Sequence, residues 1–240
     1  MLKLIADENA CKLRKNRYPG RGIVLGATED GKKLVQVYWI MGRSENSRNR
    51  IFVEENGSVR TKAYDESKLV DPSLIIYYPL KSTGGYHVIS NGDQTDTVID
   101  FLKSGKSFEE ALMTRTFEPD GPNYTPRITG ITEPGGKNVY CLSILKTLNG
   151  RPDTCIRNFF YFEKPVPGFG HCIHTYDGDG NILPSFSGEP YIVPIPDSID
   201  ETLDFYWDLL DPDNRISLLV KTIDIYTGKV EIKIRNRYGN

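Results

Sequence analysis

Glycine-containing turn pairs cut this chain into short β-capable segments, and that punctuation limits its folds more than any other feature. Asp30-Gly31, Asn56-Gly57, Asn149-Gly150 and Thr227-Gly228 each sit between apolar or alternating runs. Asn-Gly and Asp-Gly accept the positive φ angles that a tight hairpin demands. The expected hairpins pair Ile23–Gly26 with Leu34–Met41, Ile51–Glu54 with Val59–Tyr64, Val139–Leu148 with Thr154–Glu163, and Leu218–Tyr226 with Val230–Arg235. Further strands are expected at Leu74–Leu80, Tyr86–Ile89, Arg127–Thr132 and Gly170–Tyr176.

Helical signals are fewer. Residues 1–17 are polar and mixed, and predict at most a short, weak helix. Val98, Ile99 and Leu102 share one apolar face of a helix over Thr95–Lys103, which Gly105 ends. Ser107, with Glu110 three positions later, forms a capping box for a second helix to about Arg115. Ser198 or Asp200 caps a third through about Leu210, with Leu203, Trp207 and Leu210 on one face. The proline-rich residues 184–196 predict an extended connector. Hairpins, then paired helices, then more hairpins and a helix predict an α+β fold, with residues 1–240 as a single domain.

A formal net charge of −2, with 26% charged residues, lacks the bulk positive charge of a nucleic-acid binder. No apolar run approaches membrane-spanning length, and Met1–Glu8 lacks the apolar core of a signal peptide, so a cytoplasmic location is expected. Cys11, Cys141, Cys155 and Cys172 form no Cys-x-x-Cys pair and read as reduced, mostly core thiols.

Several motifs fail on spacing or context. Gly20-x-Gly22-x-x-x-Gly26 misses the dinucleotide spacing and leads into a hairpin. Gly105-Lys106-Ser107 ends like a phosphate loop, but Asp100 stands where its first glycine belongs. Asp177-x-Asp179-x-Asn181 opens like a calcium loop, yet Ile182 replaces the required glycine. On a strand, His171 and His174 point to opposite faces, which argues against a shared metal.

Polar clusters at strand ends carry more weight, because active-site groups commonly sit on loops held by a rigid sheet. Gln36–Arg50 begins as an apolar strand and ends as a loop carrying Arg43, Arg48 and Arg50, with Ser44, Ser47 and Asn49 between. Guanidinium forks match phosphate oxygens, so this loop is a candidate anion site; a solvated surface loop is the alternative. Arg21, Ser90–Asp96, and Glu118 with Tyr124–Arg127 are the other clusters. Asn91-Gly92, opening a helix, could offer free N–H groups to an anion.

Four pieces of these clusters resemble the IMP cyclohydrolase family of the archaeal type: Pro19-Gly20-Arg21-Gly22, the Gly42–Arg50 loop, the run Ser90-Asn91-Gly92-Asp93-Gln94-Thr95-Asp96-Thr97, and Thr125-Pro126-Arg127-Ile128. The resemblance covers residues 18–132 and thins beyond, where residues 165–196 look like an added connector. It implies a four-layer αββα sandwich like that of N-terminal nucleophile hydrolases, without a processed nucleophile. The implied reaction closes 5-formamidoimidazole-4-carboxamide ribotide to IMP with loss of water, and requires no metal or organic cofactor. The implied partner is the purine ribotide, with no nucleic acid or membrane; homo-oligomerisation is left open.

By the same resemblance, Glu118 is the implied proton acceptor or shuttle and Tyr77 the donor to the formyl oxygen. Phe117 and Pro119 flank Glu118 and would desolvate it, raising its pKa. Read without the family, Glu118 is a solvated loop carboxylate and Tyr77 a packed strand aromatic. Arg21 and Arg43 are implied phosphate or base ligands, with Ser44, Arg48 and Arg50 as neighbours. Asn91, Gly92 and Thr95 would hold the base or ribose, and Arg127 would orient substrate or Glu118. Two alternatives stand beside this reading. One is an amide hydrolase of the N-terminal nucleophile type, for which Cys11 is the only early candidate nucleophile; the other is a purine-nucleotide-binding protein without catalysis.

Overall fold

The computed structural model describes residues 1–239. Its elements run α1 (Leu2–Lys15), β1 (Gly22–Ala27), β2 (Lys33–Met41), α2 (Glu45–Arg48), β3 (Ile51–Glu55), β4 (Ser58–Lys62), β5 (Leu80–Thr83), β6 (Tyr86–Ser90), α3 (Gln94–Lys103) and α4 (Phe108–Met113). They continue through β7 (Arg127–Thr132), β8 (Tyr140–Leu148), β9 (Arg151–Phe162), β10 (Phe169–His174), β11 (Tyr191–Pro194), α5 (Ile199–Leu209), β12 (Arg215–Asp224) and β13 (Val230–Asn236). The fold is α+β with two antiparallel sheets, ordered β11-β10-β1-β2-β12-β13 and β3-β4-β5-β6-β7-β8-β9.

Strand alternation sorts the core. Ile23, Leu25, Tyr38 and Ile40 of the first sheet pack with Phe52, Leu80, Ile89, Ile128 and Leu142 of the second. Their neighbours Val24, Val37, Trp39 and Met41 point the other way and pack with Ala10 and Leu13 of α1 and Leu203 and Tyr206 of α5. Val88, Ile131 and Cys141 on the second sheet's opposite face pack with Val98, Ile99, Phe108 and Leu112 of α3 and α4. β1 and most of β2 are therefore buried on both faces, which is why they read as nearly unbroken apolar runs.

The four expected hairpins form. Asn56 and Gly57, and likewise Asn149 and Gly150, take positive φ angles, as two-residue turns of this type require. The expected capping box of Ser107 with Glu110 is made, and of the two caps offered for the last helix Ser198 is the one used, in a box with Glu201.

Three expectations are corrected. Residues 2–15 form a full helix, because Ala6, Ala10 and Leu13 make a narrow buried stripe that packs against the β11 edge; tertiary burial outweighs the weak local pattern. The strand expected at Leu74–Leu80 begins only at Leu80. Before it, the N–H groups of Ile75 and Ile76 both donate to the Pro72 carbonyl, turning the chain. The connector over 184–196 is not wholly extended coil, since Tyr191–Pro194 adds an edge strand to β10.

A buried cation lies between the sheets. Lys221 of β12 is 0% exposed, and its Nζ lies 2.8 Å from both Ser82 Oγ and His87 Nδ1, with no carboxylate among these partners. Burial lowers its pKa from 10.5 to about 7. Between those values the unfolded chain holds a proton that the folded chain has released, so this group's penalty is full at and below pH 7 and fades as pH rises toward 10.5. Ser82 Oγ and His87 Nδ1 are also 3.0 Å apart and retain each other if the amine is removed. Lys221→Met is therefore expected to stabilise the fold by about 1–3 kcal/mol near neutral pH. Urea melts across pH 7 to 10 should show that advantage shrinking as pH rises; a constant difference would contradict the lowered pKa.

Candidate active site

The expected cluster assembles around an ion pair. Arg21 lies in the turn before β1, and its backbone is clamped to the end of β10: its N–H donates to Thr175 Oγ1 (3.1 Å), and its carbonyl accepts from Thr175 N–H (2.9 Å). Gly20 makes that approach possible. It has φ +72°, and a Cβ there would lie 2.2 Å from Thr175 Oγ1. The Arg21 side chain then reaches Glu118, donating from Nη2 to Oε1 at 2.7 Å.

Glu118 is 2% exposed. Its loop closes on itself, with the Glu118 N–H donating to the Thr125 carbonyl (2.9 Å) and Asp120 accepting from Thr125 N–H (2.6 Å). Thr125 Oγ1 also bonds Asp120 and the Tyr176 hydroxyl, while Phe117 packs edge-on against Tyr124. Burial raises the Glu118 pKa above the ordinary carboxylate range, against the opposing pull of Arg21 and Arg127. Burial also disfavours charge on Arg21, but Glu118 and the nearby Tyr176, Tyr77 and Tyr38 hold it firmly protonated.

Tyr77, 5% exposed, stands on the irregular segment before β5. Thr61 holds its backbone: Tyr77 N–H donates to Thr61 Oγ1 (2.8 Å), and its carbonyl accepts from Thr61 N–H (2.9 Å). The Tyr77 hydroxyl lies 2.7 Å from that of Tyr38 on β2. Burial, then Tyr77, raises the Tyr38 pKa well above its usual value, so this phenol is a proton donor and not a phenolate at neutral pH.

Arg127, 6% exposed, brings a second positive charge near Glu118 and donates from Nη1 to Asp93 Oδ1 (2.8 Å) and Gln94 Oε1 (2.7 Å). A Cβ on Gly92 would lie 2.6 Å from Arg127 Nη1, so glycine leaves that guanidinium its room. Asn91 joins this turn to β7: its Oδ1 accepts from Ile128 N–H and Gln94 Nε2, and its Nδ2 donates to the Pro126 carbonyl. Thr95 Oγ1 is 2.6 Å from Ser90 Oγ. Gly92 thus borders Arg127, while the polar groups of Asn91 and Thr95 are engaged by protein in the turn beside it.

The arginine loop divides its cations. Arg50, 1% exposed, turns inward, donating to the Ser47 and Met41 carbonyls. Arg48 donates to Asn214 Oδ1 and the Arg43 carbonyl. Ser44 caps the four-residue α2 in a capping box with Ser47. Even so, the positive charge of Arg50 is felt at the Tyr38 phenol. Arg43 lies on the Tyr176 side: its guanidinium sits 4.7 Å above the Tyr18 ring, which stacks on Tyr176 at 6.0 Å.

The structure therefore brings Arg21, Tyr77, Glu118 and Arg127 together and sets Arg43 beside them, while Arg48, Arg50 and Ser44 build the arginine loop. Tyr38 and Tyr176 escaped the sequence reading. Tyr38 sits between Val37 and Trp39 in an apolar strand, and Tyr176 merely precedes a turn. His171 and His174 do face opposite ways: His171 stacks on Phe162, and His174 packs edge-on against Phe186. Cys11, the candidate N-terminal nucleophile, is exposed in the middle of α1. Among the described residues, no helix is long and apolar enough to cross a membrane.

Known proteins resemble this chain in sequence. The model of the family described as IMP cyclohydrolase-like protein matches residues 18–229. A Methanopyrus kandleri IMP cyclohydrolase is 35% identical over 162 residues, covering 66% of this chain and 75% of the relative. A Methanococcus maripaludis IMP cyclohydrolase is 32% identical over 115 residues, and the match spans only 56% of that relative's length. One from Halobacterium salinarum is 27% identical over 123 residues, 50% of this chain and 59% of the relative. With nearly the whole chain matched by one family model, and the Arg21, Tyr77, Glu118 and Arg127 cluster inside the matched residues, the chain belongs to the IMP cyclohydrolase-like family.

Proposed function

We propose that this chain is an IMP cyclohydrolase, closing 5-formamidoimidazole-4-carboxamide ribotide to IMP with loss of water. The observation that carries the reading is Glu118, a buried carboxylate of raised pKa paired with Arg21, with the charge of Arg127 nearby and the Tyr77–Tyr38 phenol pair close to Arg21. Family membership supports it. The helix, sheet, sheet, helix order of the packing supports the finer architecture we infer, one domain built as a four-layer αββα sandwich of the N-terminal nucleophile hydrolase kind.

The reaction joins a poor nucleophile, the carboxamide nitrogen, to a weak electrophile, the formyl carbon. Holding the two face to face contributes the most, and arginines suit the anionic phosphate of such a substrate. In the first step Glu118 takes a proton from the carboxamide nitrogen as the N–C bond forms, and delivers it to the formyl oxygen, giving a cyclic carbinolamine. Tyr77, backed by Tyr38, and Arg21 stabilise the negative charge that builds on that oxygen. In the second step the hydroxyl leaves as water. Its proton comes from a ring nitrogen by way of Glu118, and that nitrogen's electron pair closes the C=N bond. The positive charge of Arg127 favours the ionised form of Glu118, and Arg43 holds the phosphate.

Supplying the formylated ribotide and following IMP formation tests the whole reading; absence of turnover at every pH tried would sink it. Glu118→Gln should lower kcat by about 10²–10⁴-fold while the protein still binds IMP, as loss of a general base requires. An active Glu118→Gln enzyme would remove this residue from the mechanism.

The pH profile tests the ion pair. Glu118 must be ionised to accept a proton, and Arg21 works against the rise that burial imposes. Arg21→Gln leaves burial less opposed, so the acid limb of the kcat profile should move to higher pH. An acid limb that stays in place or moves down would separate Glu118 from that limb.

A further inference from the structure

Residues 177–184 leave the end of β10 and return to it as a tongue. Asp177 N–H donates to the Pro184 carbonyl (2.9 Å), Phe186 N–H donates to the Thr175 carbonyl (3.0 Å), and Tyr176 bridges Ser185, which closes the base. One side is pinned to the loop that carries Glu118, where Leu183 N–H donates to Asn123 Oδ1 at 3.0 Å. The tip rests on the arginine loop, where Arg43 Nη1 donates to Asp179 Oδ1 (2.5 Å) and to the Gly180 carbonyl (2.8 Å). The sequence treats this stretch as part of an added connector; in the fold it spans both walls of the candidate site.

The tip is the weak point of that span. The Arg43 and Asp179 side chains are 35% and 41% exposed, and an ion pair so open to water is easily exchanged for a better anion. A phosphate carrying close to two charges is such an anion, and a carboxylate left beside it would be repelled. Glu118, Tyr77 and Arg127 are each under 10% exposed, so access to them requires a covering segment to shift. The tongue has the exposed latch, and its base at Tyr176 adjoins Thr125 and the Glu118 loop.

We propose that Asp179 is a specificity-determining residue of this site: its carboxylate competes with the substrate phosphate for Arg43, so that a phosphorylated ribotide, and not the bare nucleoside, draws the tongue tip away. The proposal rests on the ribotide reading above. It makes Asp179 a brake on phosphate binding and gives residues 177–184 a function in substrate selection.

Calorimetric titration of the full chain with IMP, inosine and inorganic phosphate at low ionic strength tests it. Asp179→Asn should tighten IMP and phosphate by about two- to fivefold, the range an exposed ion pair commands, and leave inosine unchanged. In an Arg43→Ala background the same substitution should leave IMP affinity unchanged, because the contested cation is gone. In turnover the gain should appear as a lower KM for the formylated ribotide, not as a higher kcat. Equal IMP affinity with and without Asp179→Asn, or a gain that persists without Arg43, overturns the proposal and leaves the cyclohydrolase reading intact. An unaltered chain that binds neither IMP nor phosphate overturns both.

Discussion

The Arg21–Glu118 ion pair is the interaction on which the rest of the site depends. Two opposite charges at 2.7 Å are almost removed from water here, and each loses hydration that its partner must replace. Such a pair is a poor source of stability in itself, but stranding one member of it costs about 3–5 kcal/mol. The surroundings are built to prevent that. Gly20 lets the Arg21 backbone lie against Thr175, Asp120 and Thr125 close the Glu118 loop, and Gly92 leaves room for the second guanidinium of Arg127.

What this arrangement gives in return is a carboxylate whose protonation is finely opposed. Burial drives Glu118 toward its neutral form while Arg21 and Arg127 drive it toward the charged form, and burial prevails. A group in that condition can both accept and return a proton, which dehydrative ring closure needs in each of its two steps. Tyr38, a neutral phenol, is paired with the Tyr77 hydroxyl, and such a pair can donate to a developing oxyanion without adding charge to the site.

Sheet geometry explains why these groups meet. Tyr38 projects from β2 into the space between the sheets, whereas its neighbours Val37 and Trp39 pack under α1 and α5 on the opposite face. A one-residue slip of β2 would exchange them and dismantle the phenol pair. The antiparallel register of β2 with β1, which opposes Tyr38 to Ile23, is set at the Asp30-Gly31 turn. A local turn signal thereby fixes the depth of a candidate-site side chain several residues away.

Much of this was open to the sequence because it depends on short-range stereochemistry. Turn pairs with positive φ, capping boxes at Ser107 and Ser198, and alternating apolar strands are encoded within a few residues, and they determined the hairpins and the helix starts. Glu118 and Arg127 were singled out by the polar clusters and the family resemblance, and the fold brings them near each other. The rest depended on partners distant in the chain. α1 is a full helix because Ala6, Ala10 and Leu13 find an edge strand some 180 residues later. The run Ile75–Tyr77 has the composition of a strand but turns, because its polar backbone is satisfied by Pro72 and Thr61. Arg43, Arg48 and Arg50 are alike in sequence, and only the folded loop sends Arg50 to its own carbonyls and Arg43 toward Tyr18 and Asp179. Tertiary structure decided these features because burial and hydrogen-bond satisfaction are properties of the assembled neighbourhood, which no local pattern contains.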